Sequence, residues 1–131
     1  MINNGEKLVF IAHPLRGNGT KEEFDYNIEM YKRLSKYYMQ ELDAGRGYKV
    51  PVSTAIYFAS FLDDSIHEER EIGIKGGHRF LKLCDEIDVY RQNGISSGMV
   101  RDIEIAEQLG IKINYYDKYP WEETTPSPTA A

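Results

Sequence analysis

The sequence predicts a three-layer α/β domain built on a short, mostly parallel sheet. Three observations lead there. Short apolar runs read as strands, and the first of them, without polar alternation, as one buried on both faces. Between them lie stretches with apolar residues every three or four positions, the period of a helix packed on one side. Glycine-bearing loops follow the first and third runs, where such sheets carry their working surface. Strands separated by helices in this way favour right-handed crossovers and helices on both faces of the sheet.

Lys7 to His13 is the first strand, with Leu8, Val9, Phe10, Ile11 and Ala12 in unbroken succession. Pro14 ends it, and the loop Leu15-Arg16-Gly17-Asn18-Gly19-Thr20 leads into a helix that Asn18 or Thr20 caps, with Glu22 and Glu23 suiting its positive first turn. Phe24, Ile28, Tyr31, Leu34, Tyr38 and Leu42 form one stripe of that long helix, which Gly45 and Gly47 close. Tyr48 to Val52 is the second strand. Ser53 to Leu62 reads equally as a short helix or as an irregular packed loop. Asp63 or Asp64 caps a helix that runs toward Cys84, with a bend or a close contact at Gly76-Gly77, where glycine costs about 1 kcal/mol per residue relative to alanine. Ile87 to Tyr90 is the third strand, followed by the loop Arg91 to Gly98. Met99, Ile103 and Ala106 mark the buried side of a helix ending near Gly110, and Ile111 to Tyr115 is the fourth strand. From Asp117 onward, proline, threonine and acidic residues without a period predict a flexible tail, so residues 1–116 form the domain and 117–131 the tail.

At 131 residues the chain is one domain long, and its 41% hydrophobic and 28% charged content is that of a chain able to close a core without staples. The net charge of −5 gives no general attraction for a phosphate backbone, which excludes nonspecific binding of a nucleic-acid duplex. The lone cysteine, Cys84, allows no intrachain disulfide and fits a reducing cytoplasm. The apolar run Leu8 to Ala12 is far short of the roughly 20 residues of a membrane span. Ten tyrosines suit a polar-lined pocket or a subunit interface.

Two loops carry the candidate chemistry. Arg16-Gly17-Asn18-Gly19 joins a permanent cation to residues that let the backbone approach a ligand, although it is neither a Walker sequence nor a dinucleotide fingerprint. An ordinary solvent-facing turn gives the same pattern. Gly94-Ile95-Ser96-Ser97-Gly98 offers hydroxyls and a glycine at a helix N-terminus, an arrangement for a phosphate that simple capping also produces. Asp102 lies in that helix on the side of the loop, whereas Glu104, about 200° further round the axis, faces elsewhere. His13, at the exit of the first strand, is a candidate for proton transfer or for a structural hydrogen bond. His67 and His78 have no metal-ligand spacing, and neither a metal nor another cofactor is implied.

The stretch Val9-Phe10-Ile11-Ala12-His13-Pro14-Leu15-Arg16-Gly17, together with Leu83 to Tyr90 and Ile95-Ser96-Ser97-Gly98-Met99-Val100-Arg101-Asp102-Ile103-Glu104-Ile105-Ala106, resembles the nucleoside 2-deoxyribosyltransferase-like superfamily. That superfamily includes deoxynucleoside-monophosphate N-glycosidases and related small proteins of phages and bacteria. The resemblance runs from about Lys7 to Tyr116. It implies a small Rossmann-like three-layer domain with a four- or five-stranded, mostly parallel sheet. It also implies a nucleotide or nucleoside held across the strand ends, and a carboxylate that attacks the anomeric carbon. By position that carboxylate is Asp102, a 5′-phosphate falls to Ser96, Ser97 and Gly98, and the first-loop contacts fall to Arg16, Gly17 and Asn18. Asp102 stands where the family has glutamate, Phe10, among the substrate-binding candidates, where it has a tyrosine that orients that carboxylate, and Gly77 where it has an aspartate. Either His13, Tyr26 or Asp64 rebuilds the pocket, or the fold binds or sequesters a nucleotide without this chemistry. A homodimer or larger homo-oligomer is expected from the tyrosine-rich long helix and from relatives that complete their sites across subunits. The expected location is the cytoplasm of a bacterial cell, the protein being bacterial or phage-encoded.

Overall fold

The unbroken apolar run of the first strand and the wholly buried third strand take the centre of the sheet. A computed structural model of the chain describes residues 5–122. Its elements are β1 (Lys7–Ala12), α1 (Lys21–Asp43), β2 (Lys49–Val52), α2 (Thr54–Ala59), α3 (His67–Leu81), β3 (Glu86–Tyr90), α4 (Ser97–Leu109) and β4 (Lys112–Tyr116). The four strands are all parallel, in the order β2-β1-β3-β4. A three-layer α/β domain with a four-stranded parallel sheet is therefore what the sequence encodes.

The pleat of β1 divides the core. Val9 and Ile11 turn to one face and pack with Met30, Tyr31, Leu34 and Tyr38 of α1. Phe10 and Ala12 turn to the other and pack with Ile87 and Val89 of β3, Leu81 of α3, and Met99 and Ala106 of α4. On the α1 face β3 presents Glu86, Asp88 and Tyr90, and the fully buried Asp88 carboxylate accepts hydrogen bonds from Tyr38 Oη (2.5 Å), Lys49 Nζ (2.7 Å) and Asn114 Nδ2 (2.8 Å). A buried charge is tolerated when it is paired and hydrogen-bonded in this way.

The two helices that begin the crossovers out of β1 and β3 on the cleft side, α1 and α4, are capped by side chains, whereas α2 and α3 are not. Thr20 is the cap of α1, its hydroxyl accepting from Glu23 N at 3.2 Å, while Asn18 Oδ1 braces Thr20 N–H and hydroxyl at 3.1 and 2.7 Å. Gly110 ends α4 at φ 69°, a left-handed conformation that favours glycine. Neither Asp63 nor Asp64 caps α3; Ile66 occupies that position without a side-chain bond, and Asp63 Oδ1 instead closes a turn on Ser65 N (2.9 Å) and Ser65 Oγ (2.6 Å).

The segment from Ser53 resolves into the short helix α2, and α3 passes Gly76 and Gly77 without a break. The glycines are there for contact. A Cβ at Gly76 would lie 2.3 Å from Phe58 Cζ, and one at Gly77 would lie 3.3 Å from Thr54 Oγ1, so α2 rests directly on the α3 backbone. Gly76→Ala is therefore expected to cost about 1–3 kcal/mol through overpacking, against the roughly 1 kcal/mol that helix propensity alone would return. Urea unfolding measures this, with Phe58→Leu restoring part of the loss. A Gly76→Ala protein as stable as the parent would mean that the helices separate at no cost.

The expected tail beyond Asp117 needs correction for its first residues. Tyr119 is buried in the α1-side core, stacks on Trp121 with centroids 4.7 Å apart, and Arg33 lies 4.1 Å over the Trp121 ring. The aperiodic sequence hides this because the segment is neither helix nor strand, yet its aromatic rings fill the space beside Tyr90. Residues 123–131 lie outside the described ones. Tyr31 and Tyr38 of the long helix, counted above toward an interface, belong to the chain's own core. No helix among the described residues is long and apolar enough to cross a membrane.

Candidate functional site

β1 and β3 lie side by side, but the chain leaves β1 for β2 on one flank and β3 for β4 on the other. Their outgoing loops therefore diverge and open a crevice at the carboxyl ends of the strands, the place where such sheets bind ligands. A cleft of about 840 Å³ occupies it, bounded by the loops His13–Gly19 and Asn93–Ser97 and by Thr54, Phe58, Gly77 and His78 of α2 and α3. That volume suits a nucleotide-sized ligand.

The first loop enters the cleft as expected. Arg16 is half exposed, and its Nε stands 3.3 Å from Asp64 Oδ2, with Arg70 Nε 3.9 Å from the other oxygen of the same carboxylate. Both guanidiniums thus lean on one carboxylate at this end of the crevice, which Glu23 and Glu69 also line. Gly17 sits at φ 57°, and a Cβ there would fall 2.6 Å from Glu23 Oε1, so the tight turn excludes a side chain. Asn18, by contrast, spends its side-chain oxygen on Thr20 and shapes the loop.

The second loop forms the opposite rim. Ser96 caps α4, its Oγ accepting from Met99 N at 3.3 Å. Ser97 and Gly98 open the helix, so their N–H groups have no intrahelical acceptor and, being exposed, are free to meet an anion. A Cβ on Gly98 would meet nothing nearer than Ser96 Oγ at 3.9 Å, so the backbone there is open to a ligand.

Asp102 stands one turn further along α4 on the cleft side, 18% exposed, and burial pushes its carboxyl up to about 7 despite the opposing pull of Arg101. Glu104 is exposed and takes no part, as the helical angle requires. Phe10 borders the cleft from the core with no hydroxyl to offer. A neighbour that the sequence did not single out faces Asp102: His78 Nε2 lies 3.4 Å from Asp102 Oδ1. The Gly76-Gly77-His78 run was the available signal, since glycines inside a helix mark a close approach, and here they let α3 deliver His78 to the cleft.

His13 is the site residue whose role changes. It is buried, with Nδ1 2.8 Å from the Pro14 carbonyl and Nε2 2.8 Å from Tyr119 Oη. A carbonyl only accepts, so Nδ1 carries the hydrogen and Nε2 accepts from the tyrosine. Burial also lowers the imidazole pKa. A neutral ring with both nitrogens engaged ties the strand exit to the C-terminal segment and is not placed for proton transfer. Tyr31 strengthens the same corner: its hydroxyl donates to the His13 carbonyl (2.5 Å) and accepts from the His13 amide (3.2 Å).

Asp85 and Cys84 are structural. Asp85 Oδ2 accepts from Leu8 N at 2.8 Å, and the buried Cys84 thiol, raised to about 12 by burial and by Asp85, donates to the Phe80 carbonyl. Among the described residues no three His, Cys, Asp or Glu side chains gather as a metal site would require.

A family described as a domain of unknown function (DUF7768) matches residues 7–116, the span from the start of β1 to the end of β4. No curated protein and no solved structure matches the chain.

Proposed function

We propose, for a chain that belongs to the DUF7768 family of domains of unknown function, the cleavage or transfer of the N-glycosidic bond of a small nucleotide or nucleoside. The observation that carries this reading is that one cleft holds the open N-terminus of α4, Arg16 and the Asp102 carboxyl together. The exposed amides of Ser97 and Gly98, with Arg16, anchor a phosphate, which leaves the sugar between that rim and Asp102. An Asp102 oxygen bonds to the anomeric carbon as the C–N bond breaks, the bonding pair and a proton from water going to the base. The hydroxide so formed, or the nitrogen of another base that gives its proton to that hydroxide, then displaces the ester at the anomeric carbon and regenerates the carboxylate. The resemblance of the loop and helix sequences to the nucleoside 2-deoxyribosyltransferase-like superfamily supports the same assignment.

Deoxynucleoside and nucleoside monophosphates incubated with the protein are expected to release free base, detected by chromatography. Asp102→Ala lowers the rate on the order of 10³-fold while binding changes little, and Arg16→Ala weakens binding about 10-fold. No base release across the panel sinks the enzymatic reading.

A second reading, binding without turnover, draws on Phe10 and His13, since neither can supply a hydroxyl or a proton where the chemistry needs one. Nucleotide binding that Arg16→Ala abolishes, with no base released by the parent, selects it. A homo-oligomer in a bacterial or phage-infected cytoplasm belongs to either reading. Tyr57, Phe61 and Leu83, all exposed, are apolar surface that an assembly would cover, and a monomeric mass by light scattering removes that part.

A further inference from the structure

We infer that His78 and Asp102 form a proton-sharing dyad in which His78 sets the charge and orientation of the Asp102 carboxylate. As a role in catalysis this rests on the glycosidic reading above; as a coupled pair it does not. The geometry carries it. His78 Nε2 and Asp102 Oδ1 are 3.4 Å apart, on two different helices, at the wall of the main cleft, with side chains only 22% and 18% exposed. Gly77, the residue before His78, is buried against Thr54 of α2, and α3 also packs directly on α4. Phe10 has no polar atom to offer the carboxyl, whereas His78 brings a polar ring nitrogen close to it.

The charges around the pair make one shared proton the stable load. Burial lowers the imidazole pKa, and Arg101 on α4 and Lys82 on α3 lower it further. Burial raises the Asp102 carboxyl to about 7, against Arg101, and Tyr31 of α1 feels the Asp102 charge from the far side of the cleft. Burial opposes the charged form of both groups, which favours one proton held between them over a separated ion pair. Positive charge growing at an anomeric carbon favours the carboxylate, and the proton passes to His78 as the 3.4 Å gap between Nε2 and Oδ1 closes to a hydrogen bond. His78 is a positioning residue in this arrangement, since Asp102 alone touches the reacting atom.

The test follows the imidazole nitrogens of His78 by NMR across pH 4–9 in the full chain and in Asp102→Asn, with His78→Gln providing the assignment. The expected result is a two-step His78 curve in the parent, the upper step shared with the carboxyl, and a single step at lower pH in Asp102→Asn. The same single-step curve in both overturns the dyad. This arm needs no substrate, so it decides the pair even if no base is released and the glycosidic reading falls. Where base is released, His78→Gln is expected to lower kcat roughly 10²-fold with KM little changed, and to move the acidic limb of the rate profile upward, because the carboxyl loses the group that takes its proton. Unaltered kcat and pH profile in a folded His78→Gln overturn the positioning role while leaving the glycosidic reading intact.

Discussion

Asp102→Asn is expected to stabilise the protein by up to about 4 kcal/mol at pH 8 and to leave stability nearly unchanged at pH 4. The carboxyl titrates near 3.8 when exposed and near 7 in the folded cleft, where burial penalises its charge. Below pH 4 it is protonated folded or unfolded, and the site costs nothing. Between pH 4 and 7 the folded chain keeps a proton that the unfolded chain releases, so stability falls as pH rises. Above pH 7 the full cost is present. Asparagine has nearly the same shape and no charge, so it removes that cost where the cost exists. Urea unfolding of parent and variant at pH 4.5, 6 and 8 reads the gap directly. A gap that does not grow with pH, or an asparagine variant that is weaker at pH 8, would mean that the native carboxylate is well satisfied by partners.

The physical sense of such a result lies in what the fold tolerates. A carboxyl held in a cleft at a cost in stability is the signature of a site kept for function, because a surface freed of that demand would drift toward the cheaper asparagine or toward an apolar residue. Loss of base release together with a gain in stability would place Asp102 on the functional side of that trade. Loss of both would make it a structural residue.

The sequence made the scaffold legible wherever one strand or one turn decides the outcome. The unbroken apolar run of Lys7 to His13 reads as a buried strand, the serines of the second loop read as a cap as well as a phosphate site, and the angle between Asp102 and Glu104 allows only one of them to face the cleft. Features that depend on distant partners were hidden. His78 has no local pattern and becomes part of the site only because α3 packs beside α4. His13 at a strand exit reads equally as a proton carrier or as a structural hydrogen-bonded residue, and what decides is Tyr119, far along the chain, which takes its second nitrogen. Tyr119 itself lay in a stretch without period, and an aromatic residue needs no period to fill a gap. Asp88 read as one more position in the third strand, although it is the centre of a polar cluster on the sheet.

That cluster is the basis of the second large effect: Lys49→Met is expected to cost about 3–5 kcal/mol. Lys49 starts the edge strand β2, yet its ammonium crosses the face of β1 to reach Asp88 on β3 and Tyr116 on β4, at 2.7 and 2.8 Å. Burial alone would lower its pKa, but the bonds to Asp88 and Tyr116 prevail and hold it above the ordinary lysine value. Methionine keeps the length of the stem and removes the charge, leaving the fully buried Asp88 with only the neutral donors of Tyr38 and Asn114. An uncompensated carboxylate in that position carries most of the loss. Asp88→Asn added to Lys49→Met removes the stranded charge while retaining an amide for the neighbouring hydroxyl, so the double variant is expected to recover about 1–3 kcal/mol of it. Chemical denaturation of the two single variants and the double variant closes the cycle. If Lys49→Met alone loses less than about 1 kcal/mol, Asp88 takes a proton at little cost, and the cluster is not what joins β2, β3 and β4 beneath α1. If the loss is as large as expected, the strand that carries the second loop to the cleft is held from its opposite face by this one ion pair, and a change at Lys49, across the sheet from any ligand, alters where Ser96 and Asp102 stand.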